Sequence, residues 1–159
     1  MSSNVTPWWE VLKLRDEVVH ASGSIDDVQM SLFQAVHGTP KDRPPYADAG
    51  YYGDITHPSP LFTDLMAKVA VRLGGGEKHT RARALWRLDQ AMGGGKSHGL
   101  IGLWHLAAHP SALGQTDVGR TAWGKAAQIL DEQPPADLNN PVVVVLPCDN
   151  MTPGKGTAE

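Results

Sequence analysis

Apolar side chains recur at helical spacing through the first half of the chain. They predict a first helix over about 7–20, with Thr6 as its N-cap and Pro7 at the first helical position, where proline is tolerated. A second helix is predicted over 24–38 and ends at a glycine. A third is predicted over 59–73, before a run of three glycines. Residues 1–80 are therefore expected to form an N-terminal helical segment.

The sequence between the second and third predicted helices is TPKDRPPYADAGYYGDITHP, residues 39–58. Its four prolines and two glycines argue against a regular element, so we expect an irregular connection. A loop of this length inside a compact domain is usually functional or disordered. Its three tyrosines make it unlike a simple solvated linker.

The second half of the chain changes to a different pattern. ALWRLD, residues 84–89, is a candidate strand that precedes a glycine run and then an apolar helix over 97–108. Another helix is predicted over 120–131. The β-branched run Val142–Leu146 is typical of a strand buried on both faces of a parallel sheet. This order predicts an α/β fold with a partial parallel sheet and flanking helices, begun but not completed in residues 81–159. We therefore expect an incomplete domain, the N-terminal piece of a longer protein.

The composition of the chain excludes several classes of protein. The 159 residues include 41% hydrophobic and 19% charged residues, which is typical of a globular chain, and the net charge of −3 gives no overall basic field for nucleic acid. The overall charge does not exclude a local basic patch. The single cysteine, Cys148, forms no internal disulfide, and neither a signal peptide nor an apolar run of membrane-spanning length is present. These features predict a cytoplasmic protein without a membrane segment.

The stretch RLDQAMGGGKSHGL carries the strongest chemical signal. A phosphate-binding loop needs glycines whose backbone N–H groups surround the anion, a lysine for the β- and γ-phosphates, and a hydroxyl for magnesium. Gly93, Gly94 and Gly95 are candidates for the backbone contacts, Lys96 for the cation and Ser97 for the magnesium ligand. The predicted helix starts at once, so its N-terminus would face the anion. ATP and Mg²⁺ are the predicted ligands.

The first position of the pattern G-x-x-x-x-G-K-[ST] is altered, because Gln90 stands where its first glycine is expected. That glycine shapes the turn rather than contacting phosphate, so we interpret the stretch as a variant Walker A loop. The alternative is a flexible glycine turn before a helix that exposes Lys96 and Ser97. A second Gly-Lys pair at Lys155 lacks the following hydroxyl and indicates a solvent loop.

The string LDQAMGGGKSHGLIGLWHLAAHP resembles the D-Q-G-M-G-G-G-K-[ST]-H segment of large bacterial ATP-binding proteins grouped as domain of unknown function 499. That family includes the ATPase of a phage-growth-limitation system. PWWEVLKLRDEVV and YYGDITHPSPLFTDLM are similar to its N-terminal region, so the resemblance runs from Trp8 to about Gly156. Ala91 departs from the glycine expected there. The resemblance implies an AAA-like P-loop ATPase acting with other phage-defence proteins or with further copies of itself.

Further candidates lie around the loop and after the second predicted strand. His98 follows Ser97 and would contact the nucleotide or the residues that hold it. Tyr51, Tyr52 and Ile55 are candidates for contact with the base, since related ATPases place adenine near the segment before the loop; the alternative is a surface loop held by its aromatic rings. Asp149, after the second predicted strand, is the candidate magnesium-binding carboxylate for hydrolysis, or else a loop aspartate.

Two questions stay open at this stage. His105 and His109, spaced i and i+4, are a possible metal pair or simply the polar side of a buried helix. Because no second carboxylate follows Asp149, this chain alone is expected to bind ATP without hydrolysing it, and the acidic strand for hydrolysis is expected beyond Glu159. A non-catalytic interaction module and a small-molecule kinase are the alternative functions.

Overall fold

The computed structural model describes residues 6–13, 30–89 and 94–146. All regular elements in these ranges are helical. The α-helices are α1 (Trp8–Val11), α2 (Leu32–His37), α3 (Ala49–Ile55), α4 (Pro60–Gly74), α5 (Lys96–Ala108), α6 (Pro110–Leu113) and α7 (Asp117–Leu130). Two 3₁₀ segments, Pro45–Ala47 and Gly76–Arg81, lie before α3 and after α4.

Side-chain caps define where several helices begin. The side chains of Ser31, Asp48 and Thr116 accept hydrogen bonds from backbone N–H groups in the first turns of α2, α3 and α7. Each cap satisfies a donor that the helix itself leaves without a partner. These short polar residues therefore set the starts of three of the helices.

The core is built mainly between α4 and α7. Each helix has four buried small or apolar side chains: Met66, Ala67, Ala70 and Val71 on α4, and Val118, Ala122, Ala126 and Leu130 on α7. The alanines allow the two backbones to approach closely, while the larger residues fill the space between them. Helices from both halves of the sequence thus share one apolar interior.

α5 packs on the other side of α4 and also contacts α2 and α3. A close approach occurs at Gly102, where an added Cβ would lie 2.5 Å from Tyr52 Oη and 2.6 Å from Phe62 Cζ. Only a residue without a side chain fits this crossing. Gly102 therefore fixes the depth at which α5 packs between α3 and α4.

The three longer helices predicted from the apolar pattern are confirmed as α4, α5 and α7, although α7 begins three residues earlier than expected. The first predicted helix is wrong beyond Val11, because Leu12 and Lys13 are not helical. Of the second, predicted over 24–38, only residues 30–38 are described; α2 covers Leu32–His37, and the prediction is wrong at Met30 and Ser31, which are not helical. The irregular connection predicted for 39–58 is also wrong, since it contains a 3₁₀ segment and the whole of α3.

The predicted α/β fold with a parallel sheet is wrong. No strand occurs in 6–13, 30–89 or 94–146, so neither 84–89 nor Val142–Leu146 forms the predicted strand. Val142 is 94% exposed and Val144 is 73% exposed, so the expectation of a strand buried on both faces fails as well. A strand exists only when a neighbour accepts and donates its backbone hydrogen bonds, and an apolar run does not specify that neighbour.

Candidate functional site

The glycine-rich loop leads directly into α5. Gly95 is the N-cap, with φ +77° and ψ 20°, and an added Cβ there would meet nothing within 4 Å. This left-handed conformation is available to glycine at little cost and is strained for most other residues. Gly94 and Gly95 are both exposed. The chain thus turns sharply at an open surface immediately before a 13-residue helix.

Lys96 and Ser97 are the first two residues of α5. The Ser97 side chain is exposed and Lys96 is half-buried, at the end of the helix where backbone N–H groups have no intrahelical acceptor. No side-chain cap covers these groups, because the N-cap is glycine. The N–H groups, the positive end of the helix dipole and the Ser97 hydroxyl therefore share one small surface, with Lys96 in the same turn.

His98 faces inward, away from the exposed side of Ser97. Its Nε2 lies 3.0 Å from Thr56 Oγ1, and its ring centroid lies 4.8 Å from that of Tyr52. The Thr56 hydroxyl donates to the Tyr52 carbonyl at 2.6 Å, so its oxygen is left to accept the proton of His98 Nε2. Burial lowers the pKa of His98 and favours this neutral form. The imidazole ties the first turn of α5 to α3.

Tyr52 makes the second tie between α3 and α5. Its Oη donates to the His98 carbonyl at 2.8 Å, and its side chain is fully buried. Burial raises the pKa of the Tyr52 phenol, which keeps it protonated as a donor. A ring enclosed in this way offers no face to a nucleotide base. The other two residues predicted to contact the base, Tyr51 and Ile55, are only partly buried.

A cavity of about 420 Å³ lies between the end of α3 and the start of α7. Thr56 is part of its wall and also bonds to His98, so the cavity lies close to the first turn of α5. Four of its ten lining residues have ionisable side chains: Asp54, His57, Asp117 and Arg120. The Arg120 guanidinium donates to the Asp117 carboxylate. The cavity is polar, unlike a typical apolar pocket for a small molecule.

His105 and His109 come together at the other end of α5. Their Nδ1 atoms are 3.3 Å apart, and His105 Nε2 lies 2.9 Å from the Tyr46 carbonyl oxygen. His105 is fully buried, and burial lowers its pKa to about 4. Burial also lowers the pKa of His109, and the positive charge of Arg43 adds to this effect. Both imidazoles are therefore neutral at pH 7.

Several predicted site residues lie outside the described ranges. These are Gln90, Gly93 and Asp149, so the structure places neither the first part of the loop nor the candidate carboxylate. Among the residues it does describe, it brings Gly94, Gly95, Lys96 and Ser97 to one surface.

Sequence reasoning missed the residues that hold this surface in place. Thr56 has no motif around it, and its bond to His98 joins positions 42 apart in the chain. Asp48 is the one local signal, because an aspartate before AGYYGDI is a plausible N-cap for a short helix. We did not expect a helix there because two of its seven residues are glycines.

The chain matches no protein-family model, and comparison with curated proteins and with solved structures found no significant similarity. The resemblance to the phage-defence ATPases accordingly stays a prediction. Among the helices of the described ranges, none has the length and apolar composition needed to span a membrane.

Proposed function

We propose that this chain binds the phosphates of ATP, together with Mg²⁺, at the N-terminus of α5. The observation that carries the proposal is the left-handed Gly95 placed directly before a long helix that opens with Lys96 and Ser97. A triphosphate is strongly anionic, and helix N-termini preceded by glycine turns bind such groups through backbone N–H donors.

Each residue of this surface has a distinct role in the proposal. The N–H groups of the first turn of α5 donate to phosphate oxygens, and Gly94 and Gly95 allow the backbone to approach them. The Lys96 ammonium neutralises the β- and γ-phosphates. The Ser97 hydroxyl is a ligand of the magnesium ion. His98 does not contact phosphate and instead positions the turn through Thr56.

A parallel sheet is not part of this proposal. In sheet-based phosphate loops the preceding strand positions the loop, whereas here the helix itself is anchored. The hydrogen bonds from Tyr52 Oη to the His98 carbonyl and from His98 Nε2 to Thr56 hold the first turn against α3. Such anchoring supports a rigid anion site, because positions fixed before binding need no ordering when the ligand arrives.

The biological setting follows from the family resemblance. We propose that the chain belongs to a cytoplasmic phage-defence ATPase and acts with other proteins of that system or with further copies of itself. ATP hydrolysis would require an acidic residue that holds Mg²⁺ opposite Ser97. Asp149 is the candidate in this sequence.

A second candidate function is a non-catalytic interaction module. The exposed apolar run Val142–Leu146 favours it, because a run of this kind on a protein surface commonly marks a contact with another protein. In this alternative the glycine turn before α5 is only a connection, and Lys96 makes no contribution to partner binding.

Equilibrium binding of a fluorescent ATP analogue in the presence of Mg²⁺ separates the two functions. We expect saturable binding by the natural chain and affinity weaker by about ten-fold or more in Lys96→Ala, since a charged contact to phosphate is lost. Lys41→Ala, at an exposed lysine in another part of the molecule, is the matched control and should bind normally. No saturable binding, or equal binding by both variants, would reject the ATP site.

A further inference from the structure

We propose that the chain binds single-stranded nucleic acid on a basic surface formed by α4 and the segment that follows it. The residues of this basic surface are Lys68, Arg72, Arg83, Leu85, Trp86 and Arg87. Residues 68–87 contain six lysines and arginines and one acidic residue, whereas the whole chain has a net charge of −3. Positive charge is therefore concentrated in this stretch. The proposal does not depend on the proposed ATP site.

The segment 82–89 brings the two parts of the basic surface together. It follows the 3₁₀ segment after α4, and Trp86 lies beside Lys68 near the middle of that helix, with Nζ 5.8 Å from the ring centroid. Leu88 continues to α5, where its Cδ1 would lie 4.0 Å from a Cβ added at Gly99. The segment thus runs back along α4, so its exposed side chains lie next to those of the helix.

The cations of this stretch have two different roles. Lys78 and Arg81 are held at the end of α7, where each pairs with a carboxylate. Arg72 and Arg83, in contrast, form no ion pair within the described parts of the chain. Arg72 lies one turn beyond Lys68 on the same face of α4. These two guanidinium groups are therefore free to bind an anion.

The other two cations of the basic surface have exposed partners. Lys68 Nζ lies 2.6 Å from Asp64 Oδ2, and Arg87 Nη2 lies 2.8 Å from Asp89 Oδ2. The side chains of Arg87 and Asp89 are 84% and 75% exposed, and surface pairs of this kind contribute little stability. A phosphate can therefore replace Asp89 as the partner of Arg87 at small cost. The basic surface thus offers three guanidinium groups to phosphates.

The side chains around these cations fit a single strand better than a duplex or an acidic protein. The planar guanidinium of arginine binds a phosphate through two parallel hydrogen bonds. Trp86 is partly exposed, and its Nε1 donates to the Arg83 carbonyl at 3.2 Å, which orients the indole. Leu85, beside it, is 86% exposed. The unstacked bases of a single strand pack on aromatic and apolar side chains, whereas the bases of a duplex are stacked on one another.

The first test is fluorescence anisotropy of a labelled single strand of about 20 nucleotides, titrated with the full chain. We expect saturable binding below about 100 µM at low salt. The slope of log K against log salt concentration should be about −2, since each of the three phosphate contacts contributes roughly −0.7. Arg83→Ala should weaken binding and reduce the slope to about −1.4. Arg43→Ala, at an exposed arginine beside the end of α5, removes the same charge elsewhere and should bind as the natural chain does.

The second test concerns the bases. Trp86→Ala should weaken single-strand binding by about five-fold or more, because a base loses its aromatic contact, and should change duplex binding little. Trp86→Phe should restore most of the affinity. Lys96→Ala, which removes a contact of the proposed ATP site, should keep the affinity for the single strand. Circular dichroism identifies any variant that fails to fold.

Three results would overturn the proposal. Absence of saturable binding by the natural chain would remove the site. Equal weakening by Arg83→Ala and Arg43→Ala would show that only the overall charge matters. Equal affinity for single strand, duplex and heparin, unchanged in Trp86→Ala, would show a surface that binds any polyanion.

Discussion

Three histidines on one side of α5 illustrate how burial sets the chemistry of single residues. His98, His105 and His109 each have a pKa below the usual value for histidine, and desolvation is the main cause. Each ring also has a defined partner: Thr56 for His98, the Tyr46 carbonyl for His105, and His105 for His109. The neutral rings are therefore part of the packing, and protonation would place a charge inside it.

The first prediction concerns acid stability. A histidine whose folded pKa is below its unfolded value stabilises the fold fully above about pH 6.5 and loses that contribution as the pH falls toward the folded pKa. For His105, whose folded pKa is about 4, the loss occurs between about pH 6.5 and 4. Its size is up to about 3 kcal/mol in the free energy of unfolding.

Urea unfolding at pH 7.5, 6.5, 5.5 and 4.5 measures this loss. His105→Gln, which keeps a polar side chain without the titration, should be less stable at pH 7.5 and should show a flatter dependence on pH. His57→Ala should keep the natural dependence. If the natural chain and His105→Gln have parallel pH profiles, His105 does not carry the effect.

At the scale of single residues, the sequence identifies candidate site residues better than it identifies the residues that they contact. The glycine, lysine and serine of the loop are recognisable because their spacing is local. The orientation of His98 is not, because its partner Thr56 is 42 positions away and is brought near only by the packing of α3 on α5. Tyr52 is a similar case: a tyrosine in a Pro- and Gly-rich segment suggests a surface loop, yet it is fully buried.

The helices α3, α4 and α5 meet closely at Gly102. Gly102 has no space for a side chain because the Tyr52 hydroxyl and the Phe62 ring occupy it. This contact fixes how deep α5 lies, and so where its N-terminus and the loop are held. The geometry of the proposed ATP site therefore depends on a glycine five residues beyond Ser97.

The second prediction compares two glycines within helices. Gly102→Ala should destabilise the protein by about 1–3 kcal/mol, since the new methyl group forces Tyr52 and Phe62 apart. Gly124→Ala, on an open face of α7 with nothing within 4 Å of the new Cβ, should stabilise it by about 0.5–1 kcal/mol. Thermal or urea unfolding measures both changes. Stabilisation by Gly102→Ala would contradict the packing described for α5.

Helices were predictable where their own segment of the sequence contains every signal that identifies a helix. α4, α5 and α7 have apolar spacing, end signals and lengths that identify a helix without reference to the rest of the molecule. The two predicted strands, 84–89 and Val142–Leu146, needed neighbouring strands that the apolar pattern cannot identify, and the described ranges contain no strand. α3 was missed because Gly50 and Gly53 conceal a helix that Asp48 caps and tertiary packing stabilises.

At the scale of the whole molecule, the helical core coexists with an exposed apolar run. Val142, Val144 and Leu146 are 94%, 73% and 58% exposed. No charged residue interrupts the sequence from Leu138 to Cys148. Uncharged β-branched segments of this kind associate through backbone pairing more readily than segments that contain a charge, and only the flanking Pro141 and Pro147 oppose pairing here.

The third prediction is that this run limits solubility. Val144→Lys should reduce concentration-dependent light scattering, because a charge in the run opposes association between chains. The unfolding free energy should change by no more than about 0.5 kcal/mol, since the side chain is largely exposed. Gln128→Lys, at an exposed position on α7, is the matched control and should leave scattering unchanged. Equal scattering by Val144→Lys and the natural chain would show that the run does not drive association.

The central claim is that the triphosphate of ATP binds where the glycine loop meets α5. The most direct measurement is a two-dimensional ¹H–¹⁵N NMR titration with Mg²⁺-ATP, because it reports on each backbone N–H separately. We predict that the largest shifts occur at Gly94, Gly95 and Ser97, that they saturate, and that they disappear in Lys96→Ala. Absence of shifts at these amides, or equal shifts in Lys96→Ala, would contradict the claim.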